Sequence, residues 1–158
     1  MNSPGCGRLR AAVLLTAVLA ADHGTGARFR VTATFTATAV GFEACGLRVI
    51  ATGTATGTQV GQGTWTQNEC VDPFSQAPKV HVVGEGVITA ANGDRLVVDY
   101  DALTDPPDPT TGEIHPRGTF TIAGGTGRFL GATGAGSLAV DGIANDGETA
   151  VFDGTIRP

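Results

Sequence analysis

Three consecutive residues, Asp99, Tyr100 and Asp101, place a phenol between two carboxylates. In a strand, the two aspartates share one face, with their carboxylates about 7 Å apart. If that face lined a pocket, burial and mutual repulsion would raise the pKa of one carboxyl, as general acid–base catalysis requires. The alternative is that both are solvated, because charges are seldom buried without a partner. Alternation favours this alternative and turns Tyr100 inward. The inward face then consists of Leu96, Val98, Tyr100 and Ala102.

Glu85 is a further candidate acid or base, on a neighbouring predicted strand whose face it shares with His81. The pair Asn92-Gly93 between the two strands is a strong signal for a two-residue hairpin turn. This hairpin would place His81 across from Asp99 or Asp101, so a cross-strand ion pair is the structural alternative to catalysis by His81. The candidate catalytic residues are Tyr100, Glu85, Asp99 and Asp101.

Aromatic side chains are candidates for contact with an apolar ligand. Trp65 is the single tryptophan, and it faces opposite to its neighbours in an alternating segment. Phe35 and Phe120 occupy inward positions of two other alternating segments. The alternative is plain core packing, and a lumen filled by phenylalanines would leave no room for a ligand. The phenylalanines that could fill it are Phe29, Phe35, Phe120 and Phe152.

Established catalytic motifs are absent from the sequence. It contains no G-x-S-x-G elbow, no H-E-x-x-H and no phosphate-binding loop. We therefore predict neither a cofactor nor a metal ion. A formal net charge of -5 with scattered basic residues argues against a nucleic-acid partner.

The N-terminus has the layout of a secretory signal. Arg8 and Arg10 precede an apolar run over 11–21, which is too short to span a bilayer. We predict a cleavable signal peptide over 1–27, a secreted mature domain over 28–158, and no stable membrane insertion. The alternative is an apolar N-terminus on a cytosolic protein.

The mature segment then holds two cysteines, Cys45 and Cys70. In an oxidising compartment, an even pair predicts a disulfide bond. A reactive thiol is less favoured, because no adjacent basic cluster would lower its pKa. Two cysteines without matching histidines also make a poor zinc site.

Alternating apolar and polar residues dominate the chain after the predicted signal and define eight strands. Eight strands without a long helix predict an all-β, antiparallel eight-stranded barrel, with a sandwich as the alternative. Such a barrel has room for side chains or for one small ligand. The predicted strands are 28–42, 47–55, 59–70, 79–91, 94–103, 113–123, 135–141 and 148–156.

The segment from Gly118 to Gly134, GTFTIAGGTGRFLGATG, predicts how the barrel turns a corner. A strand meets two adjacent glycines that tolerate positive φ, then one tight helical turn, then a new strand. The predicted structural corner consists of Gly124, Gly125, Gly127 and Phe129. The segment resembles the GGTG-[RK]-F-x-G-A-x-G segment of the allene oxide cyclase barrel-like family, which includes plant dirigent proteins.

This resemblance implies a barrel that confines a reactive small molecule without a cofactor. The family's catalytic residues are not found at matching positions. We therefore expect a secreted barrel that binds a small hydrophobic molecule and could act as a cofactor-free cyclase or isomerase. The alternatives are a non-catalytic extracellular module with Thr-rich faces, or a lipocalin- or avidin-like carrier. The resemblance also implies a homo-oligomer.

Overall fold

The computed structural model describes residues 25–158, in which nine strands and one short 3-10 turn are found. All neighbouring strands run antiparallel. The strands are β1 Ala27–Glu43, β2 Gly46–Gly57, β3 Gly61–Asp72, β4 Val80–Ala90, β5 Arg95–Thr104, β6 Glu113–Ile114, β7 Arg117–Gly125, β8 Thr133–Ile143 and β9 Gly147–Arg157.

Eight of these strands close into a barrel. They follow the order β1-β2-β3-β4-β5-β7-β8-β9, and β9 pairs back with β1. The predicted eight-stranded antiparallel barrel is thus confirmed. One predicted strand, 113–123, is split: the two-residue β6 pairs with β8, and β7 begins after Pro116. Proline cannot donate to a β-ladder, which explains the interruption.

The predicted signal peptide, 1–27, lies almost entirely outside the described residues. Within residues 25–158, no helix is long and apolar enough to cross a membrane. The described chain begins just before β1, whose Ala27 pairs with Ile156 of β9.

Alternation places one face of each strand in the lumen. In β1, every second residue from Phe29 to Ala37 is buried, while Arg30 and Thr34 between them are exposed. This strict period of two is what a sheet with one core face and one solvent face requires. The core therefore lies inside the barrel.

A glycine-rich corner connects β7 and β8, and it differs from the prediction at Gly125. Gly124 and Gly127 have φ of +107° and +57°, and a 3-10 turn spans Gly127–Phe129. The Phe129 side chain is buried beneath this turn. Gly125 serves a different purpose from the predicted positive φ: a Cβ there would lie 2.0 Å from the Arg95 carbonyl oxygen. Close approach of two backbones requires glycine at this position.

The barrel has two ends, which we call the base and the mouth. The base holds the glycine-rich corner, the Asn92-Gly93 hairpin and the start of β1. The mouth holds the β1–β2 turn, the loop before β4 and the proline-containing loop after β5. The predicted disulfide is present at the mouth, where Cys45–Cys70 ties the β1–β2 turn to the end of β3.

Candidate functional site

The mouth half of the lumen contains a cavity of about 150 Å³. This volume matches engineered apolar cavities that hold benzene. Most side chains around it are apolar and come from the barrel strands and from the loops above them. The lining includes Phe35, Ala37, Leu47, Val49, Trp65, Val80, Val82, Ala102, Ile114, Leu138, Val140, Ala150 and Phe152.

A layer of aromatic rings forms the floor of this cavity. Trp65 lies between Phe35 and Phe152, with ring centroids 6.1 Å and 5.3 Å away. Below them, Phe120 packs against Phe152 and Phe29, at 5.4 Å and 5.5 Å. Such centroid distances are those of favourable aromatic pairs. The layer separates the cavity from the solid packing of the base.

Two glycines of β4 make room for the rings that face the cavity. A Cβ at Gly86 would lie 2.0 Å from the Trp65 ring, and one at Gly84 would lie 2.5 Å from the Tyr100 hydroxyl. Each ring therefore lies across the inner face of β4, where any other residue would displace it. The inward glycines set the positions of Trp65 and Tyr100.

Polar groups enter the cavity from three strands. On β3, residues 65, 67 and 69 share the inner face, and the Trp65 indole nitrogen donates to Gln67 Oε1 at 2.9 Å. On β5, the Tyr100 hydroxyl donates to Glu69 Oε2 at 2.7 Å. A further polar group, Glu148, comes from the beginning of β9.

The Glu69–Tyr100 contact is a strong hydrogen bond in an apolar setting. Burial raises the pKa of the Glu69 carboxyl, although hydrogen bonds from Tyr100 and Gln67 act in the opposite direction. Burial, and then the charge of Glu69, raise the pKa of Tyr100 well above its usual value. Tyr100 therefore remains a neutral hydrogen-bond donor at physiological pH.

Glu148 is the ionisable group of the cavity whose charge is least stabilised by neighbouring groups. Its side chain lines the cavity and the residue is 8% exposed. Within residues 25–158, no group donates a hydrogen bond to its carboxylate. Burial, and then the charge of Glu69, raise the pKa of Glu148 to about 7. At neutral pH, this carboxyl therefore exists in both its protonated and its ionised form.

The structure separates the candidate catalytic residues. Tyr100 is inside, as the alternation predicts, and is 8% exposed. Asp99 and Asp101 are on the outer surface, as is Glu85, which pairs in register with Asp99. These three carboxylates therefore do not reach the cavity. His81 Nε2 lies 2.9 Å from Asp101 Oδ1, which confirms the expected cross-strand pair on the outside.

The three candidate ligand-contacting aromatics also fall into two places. Trp65 and Phe35 line the cavity. Phe120 is 1% exposed, packs beneath the floor and does not border the cavity. The phenylalanines thus fill only part of the lumen.

Sequence reasoning missed Gln67, Glu69 and Glu148. The signal for the first two was present, because Trp65 was placed inside and positions 67 and 69 follow it with a period of two. Glu148 carried a weaker form of this signal, because it precedes the candidate lumen residue Phe152 by four positions but is only the second residue of β9. The phase of a strand is hard to assign from sequence at its first residues.

These groups determine which chemistry the cavity can support. The cavity is apolar but holds two carboxyl groups and the Tyr100 phenol, which already donates to Glu69. Such a cavity can solvate a polar group on a ligand and can exchange a proton with it. Among residues 25–158, no cluster of three or more His, Cys, Asp and Glu residues is arranged to hold a metal ion. Comparison of the chain with protein-family models, with curated proteins and with solved structures gives no match.

Proposed function

We propose that the mouth half of the barrel binds a small, mainly apolar molecule. The observation that carries this proposal is the unfilled volume of about 150 Å³ above an aromatic floor. Protein interiors are close-packed, and voids larger than a water molecule are few. A cavity of this size, bordered by a few polar groups, is the usual form of a ligand site.

The surroundings of the mouth support passage of an apolar molecule. Large apolar side chains are exposed on the segments that end there, and they include Val40, Phe42, Phe74 and Ile143. An apolar rim lowers the cost of transferring an apolar ligand from water into the lumen. The same rim would also suit a lipid or protein surface from which such a ligand is drawn.

We further propose that the protein is secreted and related to the allene oxide cyclase and dirigent barrels. The signal-like N-terminus and the Cys45–Cys70 disulfide support secretion, because disulfides persist in oxidising compartments. The corner sequence and the eight-stranded barrel support the relationship.

Cofactor-free isomerisation is a second candidate function. Glu148 borders the same cavity as the Tyr100–Glu69 pair, and it can be ionised or protonated near neutral pH. Its carboxylate could take a proton from one carbon of a bound ligand and return it to another, with no net oxidation. A group whose pKa lies near the working pH is suited to this exchange.

Binding is tested most simply with the protein as purified and with one pair of variants. Native mass spectrometry of the secreted protein should show a retained small molecule. Ala102→Phe, which places a ring inside the cavity, should remove that molecule. Leu103→Phe is the matched control, because Leu103 is the next residue of β5 and faces outward.

Two results would contradict the proposal. One is the absence of any bound molecule in the wild type together with no response of Trp65 fluorescence to a panel of apolar compounds. The other is equal retention by the Ala102→Phe and Leu103→Phe variants when both are folded. Either result would favour the non-catalytic extracellular module instead.

A further inference from the structure

The polar groups of the cavity are unbalanced in charge. Among residues 25–158, Glu69 and Glu148 both border it, and no lysine, arginine or histidine does. The remaining polar side chains around it, Gln67, Thr104 and Asn145, are uncharged. A ligand therefore meets two acids and no cation from this part of the chain.

The two acids differ in what they already bind. Glu69 accepts the Tyr100 hydroxyl at 2.7 Å. Glu148 is 8% exposed, faces the cavity and, within the described part of the chain, receives no hydrogen bond. No side-chain oxygen among the described residues is both fully buried and without a partner, so the Glu148 carboxylate keeps contact with water. A ligand that supplies a positive donor would replace this water with a charge-assisted hydrogen bond.

On this basis, and resting on the proposed function, we propose that the ligand is an apolar amine. Its ammonium group pairs with the Glu148 carboxylate, and its apolar body fills the cavity above Trp65, Phe35 and Phe152. The volume of about 150 Å³ suits a body the size of a single ring.

The titration of Glu148 gives this pairing a distinct pH dependence. Within residues 25–158, the titratable groups that face it in the lumen are Glu69 of β3 and Tyr100 of β5, and the other strands of this part contribute no further titratable side chain to the cavity lining. With the pKa of Glu148 at about 7 in the free protein, the ionised form becomes dominant as pH rises through neutrality. Affinity for a permanently protonated amine should therefore rise about tenfold between about pH 6 and about pH 8.

The test uses three ligands of one shape that differ in charge. These are cyclohexylmethylamine, cyclohexylmethanol and cyclohexanecarboxylate, which do not interfere with tryptophan fluorescence. Binding to the wild-type protein is measured through Trp65 and by calorimetry. We expect the amine to bind at least about tenfold more tightly than the alcohol at about pH 8, and the carboxylate to bind most weakly.

Variants identify the group responsible. Glu148→Gln should remove the preference for the amine and its pH dependence, while the alcohol still binds. Glu85→Gln removes the same charge from the outer surface and should leave both unchanged. The wild-type pH profile needs no variant, so the proposal stays testable even if Glu148→Gln fails to fold.

The possible outcomes distinguish the amine assignment from the proposed binding of an apolar molecule. If the alcohol binds as well as the amine, or the amine preference survives in Glu148→Gln, the amine assignment is wrong and the apolar site stands. If none of the three ligands binds, nor any wider set of apolar compounds, both proposals fail.

Discussion

The base and the mouth of the barrel are built from the same strands, yet only the mouth holds open space. In the base, inward positions carry large side chains such as Phe29, Ile88 and Leu96, all fully buried. In the mouth, alanines and valines occupy many of the same strands, as with Ala37 in β1 and Ala102 in β5. The comparison shows that side-chain size along each strand decides where a closed barrel is solid and where it is hollow.

Polarity follows the same division. The inward-facing ionisable groups Glu69, Tyr100 and Glu148 lie around the cavity, above the aromatic floor. The base instead holds its corner together with glycines and with Phe129. The close-packed core and the ligand chemistry thus lie at opposite ends of the barrel.

The largest effect should come from removing an aromatic ring beneath the floor. Phe120→Ala deletes a ring that contacts Phe29 and Phe152, and we expect a loss of about 3–5 kcal/mol in the free energy of unfolding. Phe35→Ala is the matched change beside the existing cavity and should cost less. Urea unfolding of both variants tests this, and equal losses would erase the distinction between the two regions.

A smaller loss is expected when the mouth is released from its covalent tie. Replacing Cys45 and Cys70 by serine opens a loop whose ends are 25 residues apart. In the chain-entropy model this costs about 3 kcal/mol. Hydrogen exchange should show the increased opening in β2 and β3 near the mouth, while the base strands keep their relative protection. If amide protection fell equally in all strands, the mouth and the base would not contribute separately to stability.

The corner of the base should respond to a single methyl group. Gly125→Ala places a Cβ 2.0 Å from the Arg95 carbonyl oxygen, so the two backbones must separate at a cost of about 2 kcal/mol. Gly131→Ala is the control: its φ is +75°, but no atom lies within 4 Å of the added carbon. It should cost about 1 kcal/mol, from backbone conformation alone. Thermal unfolding compares the two, and the reverse order would refute the close-approach explanation.

The last prediction concerns a substitution at the mouth, Glu148→Gln, that should stabilise the protein instead of destabilising it. Because the folded-state pKa of Glu148 is raised to about 7, the native protein binds a proton more tightly than the unfolded chain does. Its contribution to stability is therefore favourable at low pH and declines as pH rises from about 4.5 to about 7. Glu148→Gln should stabilise the protein at about pH 8, by on the order of 1–2 kcal/mol after discounting for water at the mouth.

The measurement is the melting temperature of wild type and Glu148→Gln at about pH 5 and about pH 8. The variant's advantage should be present at the higher pH and small at the lower one. A variant that is less stable at both would show that Glu148 is held by favourable contacts in the ionised state.

Much of the fold could be predicted from the sequence because its determinants are local. Alternation in 28–42, the Asn92-Gly93 turn and the glycine-rich corner each specify geometry within a few residues. The Cys45–Cys70 bond followed from cysteine counting. The division of the predicted strand at Pro116 was missed, although proline carries the reason for it.

The site was less predictable because it depends on the barrel as a whole. Tyr100 was placed inside by the phase of its strand. The cost of burying charge predicts that Asp99 and Asp101 face solvent, and they do, but the same principle gives no reason to expect Glu69 and Glu148 inside the barrel. Whether a void remains depends on the summed volumes of the inward side chains of all eight strands, and no local sequence pattern contains that sum.

The most direct test of the account is a crystal structure of the protein soaked with cyclohexylmethanol, a neutral probe that does not depend on Glu148. We predict density for one ring in the mouth half, in contact with Val82, Tyr100 and Leu138, and none below the aromatic floor. A ring bound only on the outer surface, or a mouth half closed by side-chain packing, would contradict it.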